Sequence, residues 1–352
     1  MKSTMPTLFS GILAIALSGC PEPPPPAPRG AALAPTCSAG DLMAKVRFLQ
    51  TPFNPRVDSS PQPSNLAVPT NILGDLQSAF AIAPASFKAK LCDLTYIFID
   101  PTGCADPLNC ALSDIQLAHS SWGLRGYRNS DNGKYIAMSA GLWRSGGSAP
   151  KFSDYEVRRL GGLLQLLNPN AASWLRAPGL PFSAAAAPDT PAMTVLATLA
   201  HETGHVFWND AFVPVRGGPI DLNNFCGGHF YTPGSWNNID VPVGRWIDFA
   251  QPARKSIHNP DYVSNLNSHL SQSNFAQAGA TLLAVFRNQD SATILAAFSP
   301  HEDFVETYEL YVLLNAAPAL SNLTVRIAGL PPYDIAGDVA NKPAVRNKMA
   351  CF

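Results

Sequence analysis

The chain carries little charge and very little glutamate. Charged residues make up 14% of its 352 residues, and only six residues are glutamate, whereas about 25% charged residues is usual for a globular domain. The 24 Lys and Arg residues are balanced by 25 Asp and Glu residues, which gives a formal net charge of -1. Because there is no excess of positive charge to attract phosphate groups, we expect no nucleic-acid partner.

Long hydrophobic runs are also scarce. The apolar stretch at the N-terminus, Thr7–Leu17, is shorter than the roughly 20 residues that span a bilayer. It follows a short segment that contains one basic side chain, Lys2. This arrangement is typical of a secretory signal, so residues 1–19 are predicted to be a signal peptide and the protein is predicted to be exported.

The residues that end this segment are Leu17–Cys20 (LSGC), which resemble the lipobox of bacterial lipoproteins. The resemblance implies that Cys20 is lipidated and anchors the protein to a membrane; the alternative is an ordinary secretory signal with a chance cysteine. Pro21 stands where an aspartate would favour the inner membrane, so the resemblance implies the outer membrane, on either face. Residues 20–36 are rich in proline, which favours extended polyproline II structure, and are predicted to form a semi-rigid tether.

The remaining cysteines are even in number. They are Cys37, Cys92, Cys104, Cys110, Cys226 and Cys351. In an exported protein an even number predicts structural disulfides, although the sequence does not decide the pairing. Cys104 and Cys110 are the favoured pair because the loop between them is short. The spacings do not resemble those of paired CxxC zinc sites.

The strongest chemical signal is an HExxH motif formed by His201, Glu202 and His205. Its segment has Thr190 as a helix cap and Pro191 at the first helical position. Residues four apart lie on the same face of a helix, so both imidazoles can bind one metal ion. Glu202, about 100° around the helix from His201, can take a proton from a water molecule on that ion. Two histidines on an ordinary core helix are the alternative, but the motif favours zinc.

A catalytic zinc ion usually has three protein ligands and one open position. The third histidine of a metzincin would fall at Ala211, so that pattern is excluded. Downstream, the segment Glu302–Glu306 (EDFVE) resembles the E-x-F-x-E helix of gluzincin peptidases, including the anthrax lethal-factor-like group. The resemblance implies that Glu302 is the third zinc ligand and that Glu306, one turn later, holds a histidine in orientation. Four of the six glutamates lie in these two predicted helices, which favours the assignment.

A second role is open for Glu302. Ser299 and Glu302 also fit a capping box, S-x-x-E, in which the glutamate bonds to the backbone at the start of a helix. In that case Glu306 or His301 would be the third ligand.

Gluzincins usually add a tyrosine or histidine that stabilises the oxyanion. The candidates are His229, Tyr231 and Tyr308, and for each of them an ordinary packing or surface role is equally compatible with the sequence. Asp303 and Glu309 are expected to face solvent or neighbouring loops.

The resemblance implies an α+β, zincin-like fold. A small mixed or antiparallel sheet and the active-site helix would form a first lobe, residues 37–210, and residues 211–352 a mostly helical second lobe. Residue patterns predict helices at Asn71–Ala81, Asp154–Leu167, Pro191–Trp208, Asn274–Phe298 and Ser299–Leu314, a strand at Leu94–Ile99, and a hairpin at Tyr127–Leu142. Residues 210–270 are predicted to be irregular, Ala184–Ala187 to be flexible, and Pro318–Phe352 to be a proline-rich closing segment.

These features predict a zinc-dependent endopeptidase of the cell envelope, a hydrolase with Glu202 as general base. Its expected partners are a polypeptide substrate, added as a strand to Lys134–Ser139, and a membrane through the lipid on Cys20. A cell-wall peptide hydrolase and a non-catalytic zinc-binding surface lipoprotein are the alternatives. No wall-binding repeat supports the first, and the intact general base argues against the second. Nothing in the sequence predicts an oligomeric state.

Overall fold

The computed structural model describes residues 37–51, 61–101, 121–125, 133–167, 182–212, 229, 236–240, 245–249, 260–272, 274, 276–281, 291–293, 295–297, 300–327 and 330–352. All of these residues belong to one compact unit. The predictions for Cys20, for the tether 20–36, for the pair Cys104–Cys110, for Tyr231 and for the capping residue Ser299 fall outside the described residues.

The helices include all those that carry the predicted chemistry. They are α1 (Ala39–Met43), α2 (Thr70–Ile82), α3 (Ala85–Cys92), α4 (Phe152–Leu167), α5 (Pro191–Phe212), α6 (Pro260–Ser271), α7 (Pro300–Leu314) and α8 (Pro343–Met349). The predicted helices at α2, α4, α5 and α7 are confirmed, with small differences at their ends. No described helix has both the length and the apolar character needed to cross a membrane.

The first part of the described chain forms a four-stranded sheet. It contains β1 (Val46–Phe48), β2 (Tyr96–Asp100), β3 (Trp122–Arg125) and β4 (Lys134–Ser139), in the spatial order β1-β2-β4-β3. Strands β1, β2 and β4 run parallel, and β3 is antiparallel to β4. The side chains of β2 and β4 are almost all buried, as is usual for parallel strands that are covered on both faces.

The predicted hairpin is present, but its arms differ from the prediction. The strand of the first arm is Trp122–Arg125, and Arg125 pairs with Lys134, whereas the hairpin was predicted to begin at Tyr127. Strand β4 lies between β2 and β3 and is hydrogen-bonded on both sides. The prediction that a substrate adds to Lys134–Ser139 is therefore wrong, because both edges of that strand are occupied. Within the described residues, β3 ends the sheet on this side.

Two smaller sheets lie in segments where no strand was predicted. Their strands are β5 (Phe182–Ala187), β6 (Trp236–Asp240), β7 (Arg245–Phe249), β8 (Asn322–Ile327) and β9 (Tyr333–Asp334). The spatial orders are β5-β8-β9 and β6-β7, with all pairs antiparallel. The prediction of irregular structure at 210–270 is wrong for β6, β7 and α6, and no regular element was predicted at β5, β8, β9 or α8. Strand β5 forms by pairing with the distant β8, which overrides the weak strand propensity of its alanines. The architecture of helices and small sheets is compatible with the predicted α+β class.

Helix α5 is the centre of the core. Every residue from Met193 to Ala200 is buried. A helix that is apolar on all sides has to be covered on all sides. Helix α5 meets this requirement by packing against β3 and β4, against α2, and most extensively against α7. The HExxH motif follows directly, at the place where α5 and α7 meet.

One disulfide joins Cys37, the first described residue, to Cys92 at the end of α3. It confirms that the cysteines include a structural pair. Cys351 is also disulfide-bonded, and its partner lies outside the described residues.

Candidate metal centre

Helix α5 begins where the sequence predicts and carries both histidines on one face. The Thr190 hydroxyl accepts a hydrogen bond from the Met193 backbone N–H at 3.3 Å, so the cap is confirmed. Further along this helix, one turn separates His201 from His205, and their Nε2 atoms lie 3.3 Å apart. Two nitrogen atoms that bind one zinc-like ion tetrahedrally at about 2.0–2.1 Å would be about 3.3–3.4 Å apart.

Helix α7 brings the third predicted ligand to the same place. Glu302 Oε2 lies 3.8 Å from His201 Nε2, and Glu302 Oε1 lies 4.0 Å from His205 Nε2. One ligand atom from each of the three residues lies within 4.8 Å of the others. The side chains of His201, His205 and Glu302 are 13%, 14% and 23% exposed, respectively. The group can therefore hold a metal ion while remaining accessible from solvent.

The other edge of the His201 ring faces two carboxylates. Glu306 Oε1 lies 2.8 Å from Nδ1, which is the contact that an orienting carboxylate requires. Glu309 Oε2 lies 3.3 Å from the same nitrogen. The Thr293 hydroxyl donates a hydrogen bond to the remaining oxygen of Glu306. Residues 302, 306 and 309 thus all point from one face of α7 towards α5.

The buried guanidinium of Arg159, on α4, lies among these carboxylates. Its Nη1 donates to Glu309 Oε1 at 3.0 Å and to Glu156 Oε1 at 3.4 Å, and its Nη2 donates to Glu306 Oε1. His201, Glu306 and Glu309 are also close enough together to hold a metal ion. Arg159 already donates hydrogen bonds to both carboxylates of that second group, which disfavours a further cation there.

The second histidine, His205, is held by another imidazole. His301 Nε2 lies 2.8 Å from His205 Nδ1, and the His301 ring stacks on Trp208 with the ring centroids 5.1 Å apart. His301 therefore contacts the edge of His205 that faces away from His201 Nε2. In this position it can orient His205, and it does not join the group of three ligands.

Burial favours the neutral form of all three imidazoles. The pKa of His201 is well below its ordinary value, first because the ring is buried, and then because the charge of Arg159 and any proton on His301 would oppose protonation. Burial, followed by the neighbouring histidine, likewise lowers the pKa of His205 and of His301. Neutral imidazole is the form that binds metal ions.

The carboxyl group of Glu202 is buried next to the three ligands. It is 4% exposed, and its Oε2 has no hydrogen-bond partner among the described residues. Burial, and then the charge of Glu302, raises its pKa well above the ordinary value. Burial also raises the pKa of Glu302 to about 7, opposed by Arg159. Both carboxyl groups are thus in a setting where a cation would favour the ionised form.

The three candidates for oxyanion stabilisation are not brought to this group by any described contact. His229 is a half-buried residue in a turn. Tyr231 lies outside the described residues. The Tyr308 side chain is 2% exposed and packs against Phe207 and Phe352, in an aromatic cluster on another face of α7.

Two acidic residues of α7 are not where the sequence analysis expected them. Asp303 is completely buried, and its Oδ2 accepts a hydrogen bond at 2.5 Å from Lys348 Nζ on α8. Glu309 is 4% exposed and contacts both Arg159 and His201. The prediction that both residues face solvent or loops is wrong, since each has a buried basic partner from a distant segment.

One of the residues that surround the candidate ligands, Glu309, could have been identified from the sequence. Glu302, Glu306 and Glu309 are spaced i, i+4 and i+7, the pattern of a single helix face, so the last of them belongs with the other two. Arg159 has no such signal, because it is one of two adjacent arginines in an amphipathic helix and the sequence does not indicate which of them is buried.

The two ligand-bearing helices touch at a glycine within the motif. A Cβ atom on Gly204 would lie 3.2 Å from Val305 Cγ1 and 3.3 Å from Val305 Cα. Replacing Gly204 with alanine is expected to push α7 away from α5, cost about 1–3 kcal/mol in overpacking and weaken metal binding by displacing Glu302. Gly74→Ala in α2 is the matched control, since nothing lies within 4 Å of its Cβ position.

The measurements are urea unfolding and titration of the metal-free protein with metal. The control is expected to be neutral or stabilising by up to about 1 kcal/mol, because alanine favours helix more than glycine does. Equal stability and equal metal affinity of Gly204→Ala and Gly74→Ala would show that the close approach of α5 and α7 matters for neither quantity.

The chain matches no protein-family model, no curated protein and no solved structure, so its function has to be argued from the geometry of the site.

Proposed function

We propose that this protein is a zinc-dependent peptidase with a zincin-like active site of the gluzincin type. His201, His205 and Glu302 would hold the zinc ion, and Glu202 would be the general base. The observation that carries the proposal is the convergence of two Nε2 atoms and one carboxylate from two separate helices, within 4.8 Å of one another. An HExxH helix alone would supply only two of the three.

The donor set fits a catalytic zinc ion better than a structural one. Two imidazoles and one carboxylate are a combination that catalytic zinc sites use, whereas structural sites have four protein ligands. Within the described part of the chain, no fourth His, Cys, Asp or Glu joins the group. The partial exposure of the three ligands would leave one position for water or substrate.

Each neighbouring residue has a defined task in this proposal. Zinc supplies a Lewis acid that lowers the pKa of water and polarises the carbonyl group of the substrate. Glu202 accepts the proton of the attacking water and passes it to the leaving amine. The carboxylate of Glu306, 2.8 Å from His201 Nδ1, would hold the ring so that Nε2 is directed at the site.

The place where an extended substrate would add is the edge of β3. Helix α5 packs against both β3 and β4, and β3 ends the sheet among the described residues. A peptide that extends the sheet there would run beside the helix that carries the HExxH motif. A polypeptide is therefore the proposed substrate class.

The proposed location follows from the N-terminal sequence. A signal peptide would direct export and be removed, and a lipid on Cys20 and a proline-rich tether would then hold the catalytic unit at the bacterial outer membrane. The Cys37–Cys92 disulfide supports export, because such bonds persist mainly in oxidising compartments.

The proposal is tested by metal content and peptide cleavage on the same preparation. We expect one equivalent of zinc per chain, and cleavage of a denatured protein that stops with a chelator and returns with zinc. Glu302→Gln is expected to lower zinc affinity by more than about 100-fold, because even residues that only support ligands contribute 10–100-fold. Asp154→Asn, an exposed acidic residue of α4, is the control and should change neither quantity.

The outcomes separate the alternatives. Zinc binding that depends on Glu302, without cleavage of any polypeptide or cell-wall peptide, would leave a non-catalytic zinc protein. Cleavage of wall peptides alone would make the protein a cell-wall hydrolase. Zinc affinity that is unchanged in Glu302→Gln would contradict the proposed ligand set.

A further inference from the structure

Arg159 connects three helices behind the candidate metal site. It belongs to α4, and its side chain is 11% exposed. Nη1 lies 3.0 Å from Glu309 Oε1, and Nη2 contacts Glu306 Oε1 and lies 3.5 Å from His201 Nδ1. One guanidinium thus reaches two carboxylates of α7 and the ring of a proposed ligand on α5.

The shape of a guanidinium suits this place. Its planar fork offers donors from two nitrogen atoms at once, so it can bridge two carboxylates that lie one turn apart on a helix. A lysine ammonium is a point charge on a flexible stem and would satisfy one of them well. Here the two carboxylates bridged by Arg159, those of Glu306 and Glu309, are the ones that face His201.

The contacts favour one of the two ring tautomers of His201. Its Nδ1 lies 2.8 Å from an acceptor, Glu306 Oε1, and 3.5 Å from a donor, Arg159 Nη2, so the shorter contact favours hydrogen on Nδ1. The lone pair is then on Nε2, which faces His205 Nε2 at 3.3 Å. If the carboxylates of Glu306 and Glu309 moved, the His201 ring would lose the contacts that hold it in this orientation.

We propose that Arg159 is a positioning residue of the metal site: by bridging Glu306 and Glu309, it fixes the carboxylates that hold the Nδ1 edge of His201, and thereby directs Nε2 to the metal. This inference rests on the proposed zinc site. It adds a group that does not touch the ion or the substrate, yet sets how tightly the ion is held. A purely structural role, in which Arg159 only ties α4 to α7, makes different predictions.

The test uses two variants and a neighbouring control. Arg159→Lys keeps the positive charge but removes the fork. The double variant Arg159→Met/Glu309→Gln removes one positive and one negative charge together, so that the formal net charge of the buried group is unchanged. Arg158→Met, at the adjacent position on α4, is the control, because no ion pair of its side chain is described.

Zinc affinity is measured in the full chain by competition with a chelating dye, and the tautomer of His201 by its ring ¹⁵N shifts in the metal-free protein. Both Arg159 variants are expected to bind zinc about 10–100-fold more weakly than the wild type, as is found when residues that support ligands are replaced. The wild-type His201 should show hydrogen on Nδ1, and this signature should weaken in both variants. Arg158→Met should leave both readouts unchanged.

Folded variants with wild-type zinc affinity and an unchanged His201 tautomer would overturn the inference and leave only a structural tie. Hydrogen on Nε2 of His201 in the wild type would overturn it as well, even if neither variant folded. If the wild type itself binds no zinc, the proposed function fails; the nitrogen shifts of the metal-free protein still decide whether Arg159 positions the ring.

Discussion

Replacing Glu202 with glutamine is expected to lower peptide hydrolysis by about 10²- to 10⁴-fold, the usual contribution of a general base, while zinc binding is retained. The carboxyl group of Glu202 is buried and interacts electrostatically with the proposed ligand Glu302, but it does not join the group of three ligands. Its Oε2 has no hydrogen-bond partner among the described residues, so it is available for a water molecule. An amide can still accept a hydrogen bond there, but it cannot take the proton.

The variant should also fold normally. Glutamine has nearly the same shape as glutamate, and an uncharged amide at a position that is 4% exposed costs no more to bury than a carboxylate does. The measurements are the rate of peptide cleavage, the bound zinc per chain and the thermal midpoint of the metal-free protein. Cleavage at the wild-type rate by the zinc-loaded variant would refute the role of Glu202. Loss of zinc together with activity would instead indicate that Glu202 helps to bind the ion.

Replacing Lys348 with methionine is expected to lower the free energy of unfolding by about 3–5 kcal/mol, the usual effect of removing one partner from a buried ion pair. Lys348 Nζ lies 2.5 Å from Asp303 Oδ2, and both side chains are completely buried. Without the ammonium, the charge of Asp303 would remain inside the protein next to the proposed ligand Glu302. Helix α8 would then lose its polar attachment to α7.

Two further variants identify the cause of the loss in a urea unfolding experiment. Arg346→Met changes an exposed cation on the same helix and should alter stability by no more than about 0.5 kcal/mol. The double variant Lys348→Met/Asp303→Leu replaces the pair by apolar groups and should recover much of the lost stability. A double variant that is no more stable than Lys348→Met would show that the buried charge of Asp303 is not the reason for the loss.

The parts of the site that could be predicted from sequence are those that depend on local geometry. Residues four apart share a helix face, and a threonine followed by a proline starts a helix, so α5 and its two histidines follow from spacing alone. The same reasoning predicts α7. The meeting of Glu302 with the histidines was predicted only through the resemblance to another motif, because no local rule joins residues that are so far apart in the chain.

What could not be predicted depends on pairing between distant segments. Strand β4 has the residue pattern of any buried strand, and the pattern does not tell that β2 and β3 occupy both of its edges. The alanines of β5 have weak strand propensity and become a strand only beside β8. The burial of Asp303 and Glu309 depends on Lys348 and Arg159, whose positions are set by the packing of other helices.

Because the candidate ligand group is assembled from two helices that are distant in sequence, binding of an ion is linked to the stability of the folded chain. Glu302 follows His205 by roughly one hundred residues, so an unfolded chain offers the ion at most the two neighbouring histidines. An ion that binds the native form alone shifts the folding equilibrium by mass action, by about 2.7 kcal/mol when its free concentration is 100 times the dissociation constant. At a low concentration of the ion, the protein would therefore lose both its activity and part of its free energy of unfolding.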